Sequence, residues 1–189
     1  MQENVTRCSW AGTDPLYVAY HDEEWGKPLY DDQKLFELLM LEGMQAGLSW
    51  FTILKKRENF REAFDRFDPR VIAEYGPDKV EELMQNPGII RNRLKIQAVI
   101  TNARVYLGIV EERGSFADYL WSFVDGKPID NHRERTSDVP ASTPLSDAMS
   151  KALKKKGMKF VGSTIIYAFM QSSGMVNDHT VDCICRKIG

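Results

Sequence analysis

The residue types with the strongest chemical signature are cysteines and histidines that lie near both ends of the chain. His179 and Cys183 are four positions apart, so on a helical turn their side chains face the same direction, as two ligands of one metal must. Cys8 and His21 flank an aromatic segment near the N-terminus. Together these residues offer two thiolates and two imidazoles, a ligand set suited to tetrahedral zinc.

A zinc ion bound by this set would be structural, because four protein ligands leave no position open for a catalytic water. It would also join the two ends of the chain. The spacing is not that of a compact zinc finger, so two alternatives remain open. The pairs are unrelated core or surface residues, or Cys185 takes the place of Cys183.

A second chemical feature is the carboxylate of Glu42, which falls on the apolar face of a predicted helix. It follows Leu35 by seven positions, Leu38 by four and Leu39 by three. A carboxylate on such a face is costly unless a hydrogen-bond donor satisfies it. The simple interpretation is a buried acid bonded to a backbone N–H or to a tyrosine.

Aromatic residues on both sides of Glu42 in the sequence favour a ligand site instead. Trp50 follows it, and Trp10, Tyr17, Tyr20 and Trp25 lie in the N-terminal segment. Gly43 and Gly47 are predicted to break the helix directly after the carboxylate. Aromatic faces around a carboxylate suit a flat, electron-poor ligand that donates hydrogen bonds, such as a cationic purine.

Binding to nucleic acid would depend on local basic patches, since the formal net charge of the chain is -2. Five lysines lie between positions 151 and 159, either at a solvated helix end or along a phosphate track. A proline-glycine turn that includes Gly88 precedes a predicted helix, with Arg91 and Lys95 near its start. This turn resembles the second half of a helix-hairpin-helix, whose N–H groups bind a DNA phosphate, although Pro-Gly is common between helices.

Helical patterns extend along almost the whole chain and must position these residues. Apolar residues recur at helical spacing, and strand-like alternation is scarce. Helices are predicted to begin after Asp31-Asp32 and at Ser49, Asp68 and Thr143, and to end near Gly157 and Gly174. Residues 125–142 are polar and rich in turn-forming types, which indicates a long loop. The prediction is an all-α protein with one domain, 1–189, made of two closely packed helical lobes.

The composition is that of an ordinary globular protein, with 189 residues, 43% of them apolar and 28% charged. No apolar run reaches membrane-spanning length, and the N-terminal residues lack a signal-peptide pattern. The three cysteines are odd in number and lack the spacing of a disulfide framework. We therefore expect no membrane partner and a location in a reducing cytoplasm.

Several long blocks of the sequence are similar to those of one enzyme family. They are "RCSW", "DPLYVAYHDEEWG", "LEGMQAGLSWFTILKKRENFREAF" and "KKKGMKFVGSTIIYAFMQSSGMVNDH", followed by Cys183. These blocks resemble the 3-methyladenine DNA glycosylase I family over nearly the whole chain. The resemblance implies a helix-hairpin-helix glycosylase fold, with two helical lobes, a cleft between them and a structural zinc.

The resemblance also assigns roles to individual residues. The family's zinc ligands correspond to Cys8, His21, His179 and Cys183. Its base-pocket positions correspond to Tyr17, Tyr20, Glu42 and Trp50, with Trp10 nearby. Its loop that enters the duplex corresponds to Gly47 and Leu48, and its hairpin, including DNA-contacting residues, to the segment with Gly88, Arg91 and Lys95. The implied partner is double-stranded alkylated DNA, bound by a monomer in a bacterial cytoplasm with the nucleoid, and the released product is free 3-methyladenine.

The chain departs from the wider superfamily at three points. Ile90 replaces the second hairpin glycine, which weakens the expected phosphate contact, and Asn92 replaces the lysine that attacks the sugar in bifunctional members. No aspartate occurs between Asp78 and Asp118, where the superfamily places one to support the sugar cation. These departures fit a monofunctional enzyme acting on 3-methyladenine, a cationic base that leaves DNA without protonation. The resemblance implies that ionised Glu42 accepts hydrogen bonds from this base.

Three other classes of protein share some of these features. A DNA- or RNA-binding module whose chain ends are joined by a structural zinc would have no need for a carboxylate on an apolar face. A zinc hydrolase requires an open site with three protein ligands. A cysteine redox protein requires a C-x-x-C motif or an activated thiol, and Cys183-Ile184-Cys185 fits poorly.

Overall fold

The computed structural model describes residues 5–186, so residues 1–4 and 187–189 of the predicted domain lie outside the described residues. The described part is mostly helical, in agreement with the predicted fold class. Its α-helices are α1 Pro15–Glu23, α2 Asp32–Gln45, α3 Trp50–Ala63, α4 Pro69–Ile72, α5 Pro77–Gln85, α6 Arg93–Arg113, α7 Phe116–Trp121, α8 Pro144–Lys155 and α9 Ser163–Ser172. Two short strands, β1 Ile129–Asp130 and β2 Val176–Asn177, pair in parallel.

Side-chain caps fix the starts of the helices that carry the site. Asp31 accepts a hydrogen bond from the Lys34 amide at 2.8 Å and so begins α2. Ser49 caps α3 in the same way, through the Thr52 amide at 3.1 Å. The predicted starts at Asp68 and Thr143 are also confirmed, because each side chain accepts an amide hydrogen bond from the first turn.

The prediction that Gly43 breaks α2 is wrong. The helix continues through Gly43 to Gln45, and only Gly47, with φ of +78°, has the left-handed conformation that follows a helix end. A Cβ atom at Gly43 would lie 3.4 Å from the Cβ of Phe160, an ordinary van der Waals contact, so the segment before α9 lies directly against this part of α2.

The core is built around α2, which packs against α3, α6, α7 and α9. Leu35, Phe36 and Leu39 of α2 are almost fully buried, as periodicity predicts. A second, smaller cluster joins the chain ends and contains Cys8, Tyr20, Trp25, Leu54 and Cys183. Across residues 5–186, every helix is too short or too polar to cross a bilayer.

Candidate active site and metal centre

A cavity of about 190 Å³ lies beside α2, and it brings together the carboxylate and the aromatic residues singled out in the sequence. Its wall consists of Cys8, Trp10, Tyr17, Tyr20, Trp25, Glu42, Gln45, Trp50, Thr136, Val139, Ala168, Gln171 and Asp178. Five of these residues were predicted to form a base pocket. The role of each in ligand binding stays a prediction.

The aromatic part of the wall is a continuous set of ring contacts. The ring centres of Trp10 and Tyr17 are 5.1 Å apart, and those of Trp10 and Trp25 are 4.9 Å apart. On the other side, the rings of Tyr20 and Trp50 are 5.5 Å apart. These rings come from the segments before and after α1, from α1 itself and from the first residue of α3. They hold flat apolar faces around the cavity without closing it.

Glu42 is 3% exposed and has one side-chain partner within residues 5–186. The hydroxyl of Ser172 in α9 donates to Glu42 Oε1 at 2.9 Å. Burial raises the pKa of Glu42 to about 8, and the hydrogen bond from Ser172 only partly opposes this shift. The proton is therefore favoured on this carboxyl near neutral pH in the free protein. The ionised form expected from the sequence is favoured by alkaline pH, or by a cation or a hydrogen-bond donor in the cavity.

A polar part of the cavity wall that sequence analysis missed surrounds the buried carboxylate of Asp178. Asp178 Oδ1 accepts from Arg133 Nε at 3.0 Å and from Asn131 Nδ2 at 2.8 Å. Its Oδ2 accepts from Gln171 Nε2 at 2.9 Å and from the Tyr167 hydroxyl at 2.5 Å. This network fastens the loop of residues 125–142 to the end of α9. Its only sequence signal was the position of Asp178 directly before a predicted metal ligand.

The four predicted metal ligands meet at one buried centre. All of their donor atoms lie within 4.8 Å of one another. Cys183 Sγ is 3.5 Å from His21 Nε2 and 3.4 Å from His179 Nδ1, and Cys8 Sγ is 3.5 Å from His179 Nδ1. Two sulfurs and two imidazole nitrogens at these distances form a cluster that could hold a metal ion.

Outer contacts orient both imidazoles toward this centre. His21 Nδ1 lies 2.7 Å from the Asp22 carboxylate, which leaves His21 Nε2 to face the two sulfurs. His179 Nε2 lies 3.2 Å from the Trp25 carbonyl, which leaves Nδ1 for the centre. Such outer partners fix the tautomer and ring direction of histidine ligands, so the residues present fit a bound metal.

Hydrogen bonds to sulfur also distinguish the cysteines. The Thr180 amide donates to Cys8 Sγ at 3.5 Å, and the Cys185 amide donates to Cys183 Sγ at 3.4 Å. Both bonds stabilise thiolates, the form that binds metals. Cys185 Sγ instead lies 3.9 Å from His21 Nδ1, the nitrogen that faces away from the centre. The geometry favours Cys183 over Cys185 as the fourth ligand.

A family model for methyladenine glycosylases matches residues 10–187. This chain belongs to the methyladenine glycosylase family. It is 56% identical over 181 residues to DNA-3-methyladenine glycosylase 1 of Escherichia coli, covering 96% of this chain and 97% of that protein. It is 52% identical over 182 residues to DNA-3-methyladenine glycosylase of Haemophilus influenzae, covering 96% and 98%.

A solved structure has the same fold as this methyladenine glycosylase family member. It is the structure of 3-methyladenine DNA glycosylase I from Staphylococcus aureus, solved to show how that enzyme recognises 3-methyladenine. The TM-score is 0.94 at 41% sequence identity, and the match covers 96% of this chain and 97% of that one. Another similar structure is a tyrosine-to-phenylalanine variant of such an enzyme in complex with 3-methyladenine, at 40% identity and a TM-score of 0.94.

The residues predicted to contact DNA in this methyladenine glycosylase family member lie at two helix junctions. Gly47 and Leu48 form the exposed tip between α2 and α3, and Leu48 is 42% exposed. Arg91 is exposed in the turn before α6, and Gly88 is half-buried there. The Gly88 amide donates to Asn86 Oδ1 at 2.8 Å, so this N–H is engaged within the turn.

The prediction that Lys95 contacts DNA needs correction. Lys95 is 7% exposed, and its ammonium donates to the carbonyls of Met44 at 2.9 Å and Ala46 at 2.6 Å. Carbonyls at a helix C-terminus lack intrahelical donors and attract a cation, which explains this inward orientation. Lys95 therefore ties the end of α2 to α6, directly below the exposed tip at Gly47.

Proposed function

We propose that this chain is a monofunctional DNA glycosylase that removes 3-methyladenine from alkylated double-stranded DNA and leaves an abasic site. The observation that carries the proposal is the buried carboxyl of Glu42 in an aromatic cavity, within a chain 56% identical to DNA-3-methyladenine glycosylase 1. Chromatography of the bases released from methylated duplex DNA tests it directly. Absence of 3-methyladenine among the released bases would contradict the proposal.

Recognition of the base follows from the chemistry of the cavity. The flipped base would stack on the rings of Tyr20 and Trp50, and base–aromatic stacking contributes about 1–3 kcal/mol per base. This gain offsets the few kcal/mol that flipping costs. The positive charge of 3-methyladenine would lower the cost of ionising Glu42, because an opposite charge stabilises a buried carboxylate.

Selection against normal bases rests on the same carboxyl. A neutral base brings no charge to stabilise the Glu42 anion, and a base without suitably placed donors leaves its oxygens unpaired in a buried site. The glycosidic bond of 3-methyladenine is already weak, since the base leaves as a neutral molecule. The enzyme therefore needs selection more than acid catalysis, and water attacks the sugar.

We further propose that the metal is zinc and that Cys8, His21, His179 and Cys183 bind it. When bound, zinc joins the two ends of the chain and takes no part in the reaction, since no position is left for water. Trp10, which lies between two of these ligands in sequence, contacts both Tyr17 and Trp25 in the cavity wall. The metal centre would thus help to fix the position of Trp10, and through it the aromatic wall of the base pocket.

The proposed DNA surface contains the tip at Gly47 and Leu48, which would enter the duplex where the damaged base leaves. The turn with Gly88 and Arg91 would contact a phosphate next to it. The tip and the turn are neighbours, because Lys95, which follows the turn, bonds to the carbonyls of Met44 and Ala46 directly before the tip. We propose a monomer that acts in the bacterial cytoplasm.

The reaction is expected to leave the DNA strand intact. Asn92 has no amine to attack the sugar, and its side chain accepts a hydrogen bond from the Lys95 amide at 3.1 Å as the N-cap of α6. The nearby Lys95 amine is buried and bonded to two carbonyls. Treatment with borohydride during turnover is therefore expected to trap no protein–DNA adduct. A trapped adduct, or strands nicked without added base, would contradict the monofunctional assignment.

Replacement of Lys95 by Met is expected to lower excision from duplex DNA without lowering the affinity for the free base. The change removes two hydrogen bonds from a charged donor to the end of α2, so the tip at Gly47 loses its support. We expect excision from duplex DNA to fall about tenfold or more, the size of one such bond, while affinity for free 3-methyladenine changes little. Lys79→Met is the control, because this lysine pairs with Glu82 on the surface of α5. Equal losses of excision and of affinity for free 3-methyladenine would show that Lys95 supports the whole fold.

A further inference from the structure

Ser172 lies in the last turn of α9, and within residues 5–186 its side chain is the only one that forms a hydrogen bond with the side chain of Glu42. It is 6% exposed, and its Oγ lies 2.9 Å from Glu42 Oε1 and also 2.9 Å from the carbonyl oxygen of Ala168. No sequence pattern pointed to it, because 130 positions separate it from Glu42. The same residue also borders a second, larger cavity of about 720 Å³.

The hydroxyl of Ser172 has three acceptors within reach but only one proton to donate, because the Phe169 carbonyl oxygen also lies 3.2 Å from its Oγ. When Glu42 is ionised, the proton is best directed to the carboxylate, because a charge-assisted hydrogen bond is the stronger one. When Glu42 is protonated, the carboxylic O–H donates to Ser172 Oγ, and the serine proton turns to the Ala168 carbonyl. Both patterns satisfy the carboxyl with the same positions of the heavy atoms.

The bond to Ser172 also decides which oxygen of Glu42 serves the ligand. Oε1 accepts the hydrogen bond from Ser172, whereas Oε2 has no hydrogen-bond partner among residues 5–186. Oε2 is also not one of the fully buried atoms that lack a partner in these residues, so it keeps some exposed surface. Glu42 lines the smaller cavity, so Oε2 is the oxygen that keeps access to it.

We propose that Ser172 is a positioning residue for base recognition: its hydroxyl reverses direction as Glu42 gains or loses its proton, and in the donating direction it stabilises the carboxylate that holds the cationic base. This inference rests on the function proposed above and adds the residue that sets the pH at which recognition works.

None of the other polar groups considered around Glu42 donates a hydrogen bond to its carboxylate within residues 5–186. Tyr17 and Tyr20 of α1 line the same cavity as Glu42; burial raises the pKa of both phenols, and the charge of Glu42 adds to the shift. Asp178, in the same cavity wall, is paired with Arg133, and Lys95 of α6 is bonded to carbonyls. The part of α3 beside the carboxyl is the uncharged indole of Trp50.

The charged groups on the side of Ser172 that faces the larger cavity are mostly paired with each other. Arg57 of α3 forms an ion pair with Glu24 at 2.6 Å, and Arg61 forms one with Glu37 of α2 at 2.7 Å. Lys27, Lys34 and Glu23 border the same cavity at exposed positions. Ser172 is therefore the direct hydrogen-bond donor to Glu42 from within residues 5–186.

The test compares Ser172→Ala with Ser172→Thr, which keeps a hydroxyl, and with Ser173→Ala as a matched control. Ser173 is also buried in α9's C-terminal cap, but its hydroxyl donates to the Met170 carbonyl at 3.4 Å. Binding of free 3-methyladenine and its excision from methylated DNA are measured from pH 5 to pH 10, with wild type in parallel. Parallel wild-type profiles remove any contribution from titration of the ligand itself.

We expect Ser172→Ala to shift the midpoint of both profiles upward by about one to two pH units, the size of one hydrogen bond to a charged group. Binding at pH 7 is then about tenfold weaker or more, and it approaches the wild-type value at alkaline pH. Ser172→Thr and Ser173→Ala keep the wild-type midpoint. In a Glu42→Gln background, Ser172→Ala is expected to cause no shift.

A uniform loss at every pH, with the midpoint unchanged, would overturn the inference and reduce Ser172 to a packing residue. A wild-type protein that releases no 3-methyladenine would instead contradict the proposed function. The two failures are therefore distinguishable in the same set of measurements. Circular dichroism of each variant confirms that the comparison is made between folded proteins.

Discussion

Replacement of Glu42 by Gln is expected to lower excision of 3-methyladenine by roughly 10–10³-fold, which equals about 1.4–4 kcal/mol of transition-state stabilisation. Gln keeps the size of the side chain and one acceptor oxygen. It removes the charge that would bind a cationic base, and it places an N–H donor where the base also presents donors. Single-turnover rates on methylated duplex DNA measure the effect, and affinity for free 3-methyladenine is expected to fall as well.

The same variant is expected to be more stable than the wild type at alkaline pH, which separates lost chemistry from lost folding. Burial holds the pKa of folded Glu42 at about 8, above the value of about 4.3 for an unfolded glutamate. As pH rises between these values, the unfolded state releases a proton that the folded state keeps, so wild-type stability falls. Glu42→Gln lacks this loss, and thermal melting at pH 5 and pH 9 measures the difference.

Glu62→Gln is the matched control for both measurements, because it makes the same change at an exposed position of α3. It is expected to excise at the wild-type rate and to show the wild-type dependence of melting on pH. Excision at the wild-type rate by Glu42→Gln would mean that the carboxyl is a satisfied core residue. Selection of the base would then depend on Tyr17, Tyr20 and Trp50.

Replacement of Cys8 by Ser is expected to abolish stoichiometric zinc and to lower the melting temperature by about 10 °C or more. Structural zinc sites contribute several kcal/mol or more to folding, and each kcal/mol shifts melting by about 2–4 °C in a chain of this size. Serine matches the cysteine in size but lacks the thiolate that binds zinc. Metal analysis of the purified protein and calorimetry measure the two effects.

Cys185→Ser is the control for the metal site, because its sulfur lies beside His21 Nδ1, outside the centre. It is expected to retain one zinc per chain and to melt like the wild type. Full zinc content with unchanged melting in Cys8→Ser would refute the ligand set. Loss of zinc in Cys185→Ser would instead support the alternative in which Cys185 is the ligand.

Periodicity within one helix was sufficient to place Glu42 on a buried face, because the residues that surround it in α2 are close in sequence. The four residues of the candidate metal centre were recognisable because cysteine and histidine are rare in this chain and have few other uses. Lys95 was misplaced because a basic residue near a turn has the same sequence pattern whether it faces solvent or a helix end. Only its distance to the Met44 and Ala46 carbonyls separates these cases.

Ser172 and Asp178 were missed for a related reason. The partners that give them a role are a glutamate 130 positions away and an arginine 45 positions away. Serine and aspartate are common residues, so their type alone carries no signal without these long-range contacts. The predicted all-α class needed no such information, because caps and apolar spacing are local properties.

The meeting of the chain ends has a consequence for how the protein is made. Cys8 lies 171 positions from His179, and the Ile184 amide donates to the Thr6 carbonyl at 3.0 Å. During synthesis, α1 and Trp10 before it lack these partners until residues near position 180 have been made, while the helices of the central core can already pack. Asp178 leaves the ribosome after every other residue of the cavity wall, and the candidate ligands His179 and Cys183 follow it. A nascent chain thus acquires its helical core before the cavity beside Glu42 is complete.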